Sequence, residues 1–321
     1  MKPRDLPDKM LDPRDDGAAG AATAPRRCRA IWLSDIHLGT AGCKAEYLLD
    51  FLKHHDCETL YLVGDIVDLW WLAQRRASWT AAHNAVIEAL HALRRAGTGI
   101  IYIPGNHDAP LRRTCGLMLP AMQVRRRAIH VTADGRRLLV VHGDDYDAVT
   151  RWHRPVPTRA ARPTAPAHAA DGAGAASAAA PRHRWRRLGT DLQYAAGDWL
   201  YERILTGNRL LNALRRRLGL RYWSLAEFLK RRSGAAERYI QRFVQAGLDD
   251  ARRRGLDGIV CGHIHRAALV ERDGLVYAND GDWVESLTAL AEDHDGGLRL
   301  LDHAGRSLAW LPPRASLARA A

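Results

Sequence analysis

Five short apolar runs, each stopping at a polar motif, constrain this chain more than anything else in it. Arg29 to Leu33 runs into Ser34-Asp35, Thr59 to Val63 into Gly64-Asp65, Gly99 to Ile103 into Pro104-Gly105-Asn106, Leu138 to Val141 into His142-Gly143, and Gly258 to Cys261 into Gly262-His263. A short apolar run that ends at such residues reads as a buried strand entering a loop. Between the early runs lie segments with helical apolar spacing: Cys43 to His55, with Tyr47, Leu48, Phe51 and Leu52 on one face, and Ser78 to Gly97, with Val86, Leu90 and Leu93 in register. Alternating β and α segments predict an α/β layered fold, whose functional groups gather beyond the carboxyl ends of the strands.

What the strand ends release is Asp35-x-His37, Gly64-Asp65-x-x-Asp68, Gly105-Asn106-His107-Asp108, His142-Gly143-Asp144 and Gly262-His263-x-His265. Carboxylates, imidazoles and one amide are ligand types for hard-to-borderline divalent metals. In extended backbone residues i and i+2 point the same way, so Asp35 with His37, and His263 with His265, can each aim two ligands at one point. Asn106 and His107 then diverge, which leaves His107 for a substrate. Any one of these motifs occurs in ordinary solvated turns; the ordered set of five, each after an apolar run, does not. No G-x-S-x-G elbow and no G-x-x-x-x-G-K-[ST] loop is present, which argues against serine-hydrolase and P-loop chemistry.

With D-x-H, G-D-x-x-D, G-N-H-D, H and G-H-x-H in order, the chain resembles the calcineurin-like metallophosphoesterase superfamily over roughly residues 29 to 303. The resemblance implies a four-layer αββα sandwich with a helical insert over the active site. It also implies two divalent ions, the first held by Asp35, His37 and His265, the second by Asn106, His142 and His263, with Asp65 bridging. Imidazoles mixed with carboxylates favour Mn2+, Fe or Zn2+ over Mg2+, and the resemblance points to Mn2+. Paired ions about 3.5–4 Å apart lower the pKa of a shared water and clamp a phosphoryl group during in-line attack. Four positive charges against two carboxylates leave the site attractive to phosphate. His107 is implied to contact the scissile phosphate and protonate the leaving group, with Asp108 orienting its ring. Asp68 is read as support behind the ligands, the alternative being a direct contact with substrate.

Leu33 to Gly39, Leu62 to Trp70 and Gly281 to Ser286 resemble the UDP-2,3-diacylglucosamine hydrolase branch, which implies cleavage of a lipid-linked nucleotide pyrophosphate in lipid A synthesis. Dedicated members of that branch carry Arg after the metal-binding Asn, where this chain has His107. That departure admits a broad soluble phosphodiesterase or nuclease as the second reading. A non-enzymatic scaffold would not need the full ligand set.

Composition bounds the rest. The 321 residues carry a formal charge of +12, and 43 of the 48 basic side chains are arginine. Guanidinium pairs bidentately with phosphate, so the balance fits phosphorylated substrates and an anionic membrane surface; a compositional bias that also enriches Ala explains it equally well. No interleaving of basic and aromatic residues supports nucleic acid as the partner. Cys28, Cys43, Cys57, Cys115 and Cys261 form no C-x-x-C spacing, so reduced thiols and a cytoplasmic location are expected, the lipid-linked substrate implied by the resemblance adding peripheral contact with the inner face of the membrane; Cys261 reads as a buried strand residue. The expected organisation is a disordered tail at 1–27, a first half-domain at 28–150, a low-complexity insertion at 151–184, a helical insert at 185–255, a second half-domain at 256–312 and a tail at 313–321. In the insert, the branch resemblance implies that apolar residues from Leu188 to Lys230 line a cleft for acyl chains, the alternative being the insert's own core, and Arg215 to Arg217 and Arg231-Arg232 are read as binding diphosphate or an anionic bilayer surface, or as a solvated face. Strands from Ala268 to Asp302 are expected to build a second sheet.

Overall fold

The computed structural model describes residues 26–73, 78–116, 122–147 and 234–314, with nothing said of the side chains of 234–236. The expected N-terminal tail up to residue 25, the insertion and the helical segment between 148 and 233, and the residues after 314 lie outside the described residues. All described residues fall in one compact unit made from the two stretches that flank 152–230.

Among the described residues two sheets form. The first holds, in spatial order, β12 (Ser307–Leu311), β11 (Leu298–Asp302), β10 (Thr288–Glu292), β1 (Arg26–Leu33), β2 (His55–Leu62), β3 (Gly99–Tyr102) and β4 (Gln123–Val124). Strands β1 to β4 are parallel, with Ile31 opposite Leu60, and β10 closes on β1 antiparallel, with Ile31 opposite Ala291. The second sheet is ordered β5 (Ala128–Val131), β6 (Arg137–Val140), β7 (Gly258–Cys261), β9 (Leu275–Asn279), β8 (Ala268–Arg272). Its centre, β6, β7 and β9, is parallel. Strands covered on both faces read as continuous apolar runs, which is why these were legible from composition alone.

Three apolar clusters define four layers. Between the sheets, Trp32, Tyr61 and Leu290 of the first meet Val140, Val260 and Ala278 of the second; Trp32 stacks on Tyr61 at 5.3 Å between centroids. On the outer face of the first sheet, helices α1 (Ala45–His54) and α3 (Ala81–Arg95) seat Leu48, Phe51, Val86 and Leu90 against Ile31, Leu60 and Ile100. A short helix, α2 (Leu69–Ala73), separates them in sequence. On the outer face of the second sheet, α4 (Gly234–Arg253) seats Phe243, Val244, Leu248 and Ala251 against Leu139, Ile259 and Tyr277. The αββα sandwich is therefore present.

Three expectations change. The helix at 234–253, placed by sequence in the insert, is a structural layer of the sandwich, because its buried stripe covers β7 and β9. Strands β10 and β11 extend the first sheet rather than the second, because β10 pairs with β1, and of the expected strands only β9 and β8 continue the second sheet past β7. Finally, β1 begins at Arg26, whose guanidinium donates to Asp293 at 3.1 Å, so the tail ends before residue 27.

Candidate metal centre

The loops after β1, β2, β3, β6 and β7 bring together Asp35, His37, Asp65, Asn106, His107, His142, His263 and His265. Three groups of donors lie within 4.8 Å of one another: Asp35, His37 and His265; His37, Asp65 and His107; Asp65, His142 and His263. The groups share His37 and Asp65, so they form one continuous cluster. Asn106 joins it through its side-chain oxygen, 3.2 Å from His142 Nε2.

The convergence does not come from strand alternation. Asp35, His37, Asp65, His263 and His265 all have positive φ, between 48° and 71°, a region that non-glycine residues seldom occupy outside functional sites. Each pair turns inward in a left-handed loop rather than in extended backbone. Hydrogen bonds across loops hold that shape: Asp35 N donates to Gly64 O at 3.0 Å, His37 N to Asp65 O at 2.8 Å, His107 N to Asp65 Oδ1 at 2.8 Å and His263 N to Asp35 Oδ2 at 2.8 Å. Glycine is required where the loops touch. A Cβ on Gly105 would stand 2.7 Å from His142 Nε2, and one on Gly64 would enter the same ring.

The ligand rings are oriented from behind. His142 Nδ1 lies 2.8 Å from Val63 O, a carbonyl that accepts only, so that nitrogen donates to it and Nε2, 3.3 Å from Asp65 Oδ2 and 3.2 Å from Asn106 Oδ1, is the nitrogen turned into the cluster. His37 Nδ1 is 3.0 Å from Asp68 Oδ2. The same Asp68 oxygen lies 2.9 Å from His107 Nδ1, and Asp68 Oδ1 accepts Trp71 N at 2.7 Å. Asp68 thus backs a ligand and the expected substrate-contacting histidine together.

The expectation that Asp108 orients His107 is corrected here. Asp108 accepts from Gly105 N at 2.5 Å, Ile66 N at 3.0 Å and the Tyr102 hydroxyl at 2.5 Å. It pins the loops after β2 and β3 to each other, and Asp68 is the carboxylate at the His107 ring. One residue the motifs did not single out also reaches the cluster: Asp147 Oδ2 lies 3.1 Å from His263 Nε2. The only trace of it in sequence is its position five residues after His142.

Electrostatically the cluster demands positive charge. Burial pushes the Asp35 carboxyl up, but the His265 and His142 rings outweigh this and hold it well below the usual carboxylate range. Burial likewise opposes ionisation of Asp65, and His142, His37 and His107 overcome it. In return, burial would lower His37, yet Asp68, Asp65 and Asp35 raise it to about 9. Asp35 Oδ1 is buried, lies 3.2 Å from His265 Nε2 and 4.0 Å from His37 Nε2, and makes no hydrogen bond. An acceptor of this kind, ringed by bare or ionisable imidazole nitrogens, fits a divalent cation as its partner.

Residues 29–173 match the family model described as calcineurin-like phosphoesterase. That stretch carries every motif except Gly262-His263-x-His265, which the fold brings to it through β7. A UDP-2,3-diacylglucosamine hydrolase from Xanthomonas campestris pv. campestris (strain B100) is 32% identical over 124 residues, 36% of this chain and 46% of that protein. One of the same description from Cellvibrio japonicus (strain Ueda107) is 30% identical over 118 residues, 36% of this chain and 48% of that protein. The chain spans about half the length of the curated relatives it matches. Among solved structures, Yfce, a phosphoesterase from E. coli, aligns over 89% of this chain and 99% of its own at 14% identity and a TM-score of 0.39. A Vps29 single mutant from Entamoeba histolytica aligns over 84% and 89% at 11% identity and a TM-score of 0.36.

Proposed function

We propose, from the match of residues 29–173 to the calcineurin-like phosphoesterase model, that the protein is a member of that family and hydrolyses a phosphoric ester or anhydride with two divalent ions, Mn2+ foremost. The observation that carries this is the run of three donor groups overlapping at His37 and Asp65, which offers two adjacent positions rather than one. Asp35, His37 and His265 would hold one ion, Asn106, His142 and His263 the other, and Asp65 would serve both. Such ions supply Lewis acidity and a water of lowered pKa.

The chain's own groups do the rest. Asp68 Oδ2 lies 2.9 Å from His107 Nδ1, which leaves Nε2 as the nitrogen from which His107 would give a proton to a leaving oxygen. The His107 side chain is 29% exposed, open enough to meet a substrate. Asp108 keeps the Asn106-His107 loop against the Asp65 loop, preserving the distance between ligand and proton donor.

The relatives' description supports UDP-2,3-diacylglucosamine, or a similar lipid-linked nucleotide, as substrate. Water would attack one phosphorus, the P–O–P bond would break, and UMP and a lipid 1-phosphate would leave. A lipid-linked substrate also fits a place in lipid A synthesis and peripheral contact with an anionic membrane surface. No helix among the described residues is long and apolar enough to cross a membrane. His107 in place of arginine favours a second reading, a phosphodiesterase or nuclease with a broader substrate range.

The test is a Mn2+-supplemented assay against UDP-2,3-diacylglucosamine, with bis-p-nitrophenyl phosphate alongside. UMP release from the first substrate is the expected result. Cleavage of the generic diester alone would move the conclusion to the second reading, and turnover of neither would overturn both.

A further inference from the structure

The carboxylate that faces the expected ligand His263 comes from outside the motif set. His263 Nε2 lies 3.1 Å from Asp147 Oδ2, and the hydroxyl of Tyr239 on α4 donates to Asp147 Oδ1. Four residues on along the same helix face, Phe243 is fully buried and its ring stands 6.0 Å from that of His263. The His142 ring stands 5.1 Å from His263. Phe243 reaches this place because residue 143 is glycine: a Cβ there would meet the phenyl ring at 2.8 Å.

We propose that Asp147, steadied by Tyr239, is a positioning residue that decides which nitrogen of His263 faces the metal position shared with Asp65 and His142. The inference rests on the two-metal reading above. An imidazole offers two nitrogens, and only a deprotonated one can bind a cation. With Nε2 facing the Asp147 carboxylate at 3.1 Å, Nδ1 is the nitrogen left for a cation, and a ring flip would set that same nitrogen against the carboxylate instead. A carboxylate behind a metal-binding histidine fixes its tautomer and ring orientation. His142 and His37 are held in the same manner by Val63 O and Asp68, but at Nδ1; His263 alone is held at Nε2. The Asp147 oxygen not facing His263 is taken by Tyr239, which suits a support better than a ligand. The outer helix therefore carries, 92 residues away in sequence from Asp147, the clamp for one half of the metal centre.

The experiment is Mn2+ titration of the full chain by calorimetry, comparing wild type with Asp147→Asn, Asp147→Ala and Tyr239→Phe, with thermal unfolding of each metal-free protein. Wild type should bind two ions. Asp147→Ala should weaken one of the two by about 10–100-fold and leave the other unchanged, as loss of such a support does elsewhere. Asp147→Asn, which keeps the shape and loses the charge, should weaken the same ion, and Tyr239→Phe should do so less. Wild-type affinity at both positions in Asp147→Ala would overturn the proposal. So would equal weakening of both ions with a lowered unfolding temperature, which marks a structural role. Failure of wild type to bind any ion would instead overturn the metal centre itself.

Discussion

Two of the charged clusters that the sandwich buries are built to opposite rules. Between the sheets, Glu292 is fully buried and every lone pair that matters is used: both oxygens accept from Arg29 Nη1 at 2.9 Å, one also accepts Ala133 N at 2.7 Å, and the other lies 2.6 Å from His130 Nε2. His130 Nδ1 meets the Tyr61 hydroxyl at 3.0 Å. One carboxylate, one guanidinium and one imidazole close on each other. At the strand ends, Asp35, Asp65 and Asp68 crowd among histidines, five residues carry left-handed backbone, and Asp35 Oδ1 has no hydrogen bond. A closed cluster holds the sheets together; an open one, kept in place by strain and by loop-to-loop hydrogen bonds, is a site awaiting a charged partner.

Removing a ligand from the open cluster should have the largest effect. His263→Ala or Asn106→Ala should lower turnover by about 10³-fold or more, the several kcal/mol that a Lewis-acid ion contributes. Because these side chains add little to the core, denaturant midpoints of the metal-free variants should stay near wild type. Near-normal turnover in either variant would sink the two-ion assignment. The closed cluster should answer in reverse. Glu292→Gln leaves Arg29 and His130 without their charge partner and should cost about 3–5 kcal/mol in urea unfolding, while Mn2+ affinity stays unchanged. A loss of stability below about 1 kcal/mol would show that the inter-sheet cluster is not the closed network its distances describe.

His107→Ala sits between these cases. It should slow the chemical step by about 10²-fold, the lower end for a general acid, with both ions still bound by calorimetry. Loss of an ion would make His107 a ligand rather than a proton donor, an outcome its place in the middle donor group with His37 and Asp65 makes worth checking.

The same contrast explains what could be read from the chain. The five strand ends were legible because parallel strands buried on both faces leave continuous apolar runs, and β6 and β7 fall where those runs predict. Strand β5 was not, because it inverts the rule: His130 is buried while Ile129 and Val131 are each 49% exposed. Periodicity reports burial and not pairing, so it could not tell that β10 would join β1. The ligand set was legible as residue types in order. The roles behind it were not, since Asp108 is taken up by Gly105 N, Ile66 N and the Tyr102 hydroxyl while Asp68, 39 residues before His107, meets the ring across the loops. Asp147 was invisible for the same reason, its partners His263 and Tyr239 being distant in sequence.

The smallest effect, and the one that separates the clusters by charge, is in pH. His37 is raised from 6.5 to about 9, burial lowering it but Asp68, Asp65 and Asp35 prevailing. A group whose folded pKa is raised contributes stability that is fully present below its unfolded value and lost as pH climbs through the folded one. The metal-free protein should therefore lose stability between about pH 6.5 and 9. A cation competes with that proton for the same ring, so Mn2+ affinity should rise across the same window. Urea midpoints measured from pH 6 to 9.5, with chelator and with excess Mn2+, test both halves at once: the first series should fall with pH and the second should not. Equal midpoints at both ends of the chelated series would mean that the imidazoles do not carry the counter-charge of Asp35 and Asp65, and the open cluster would lose its electrostatic basis.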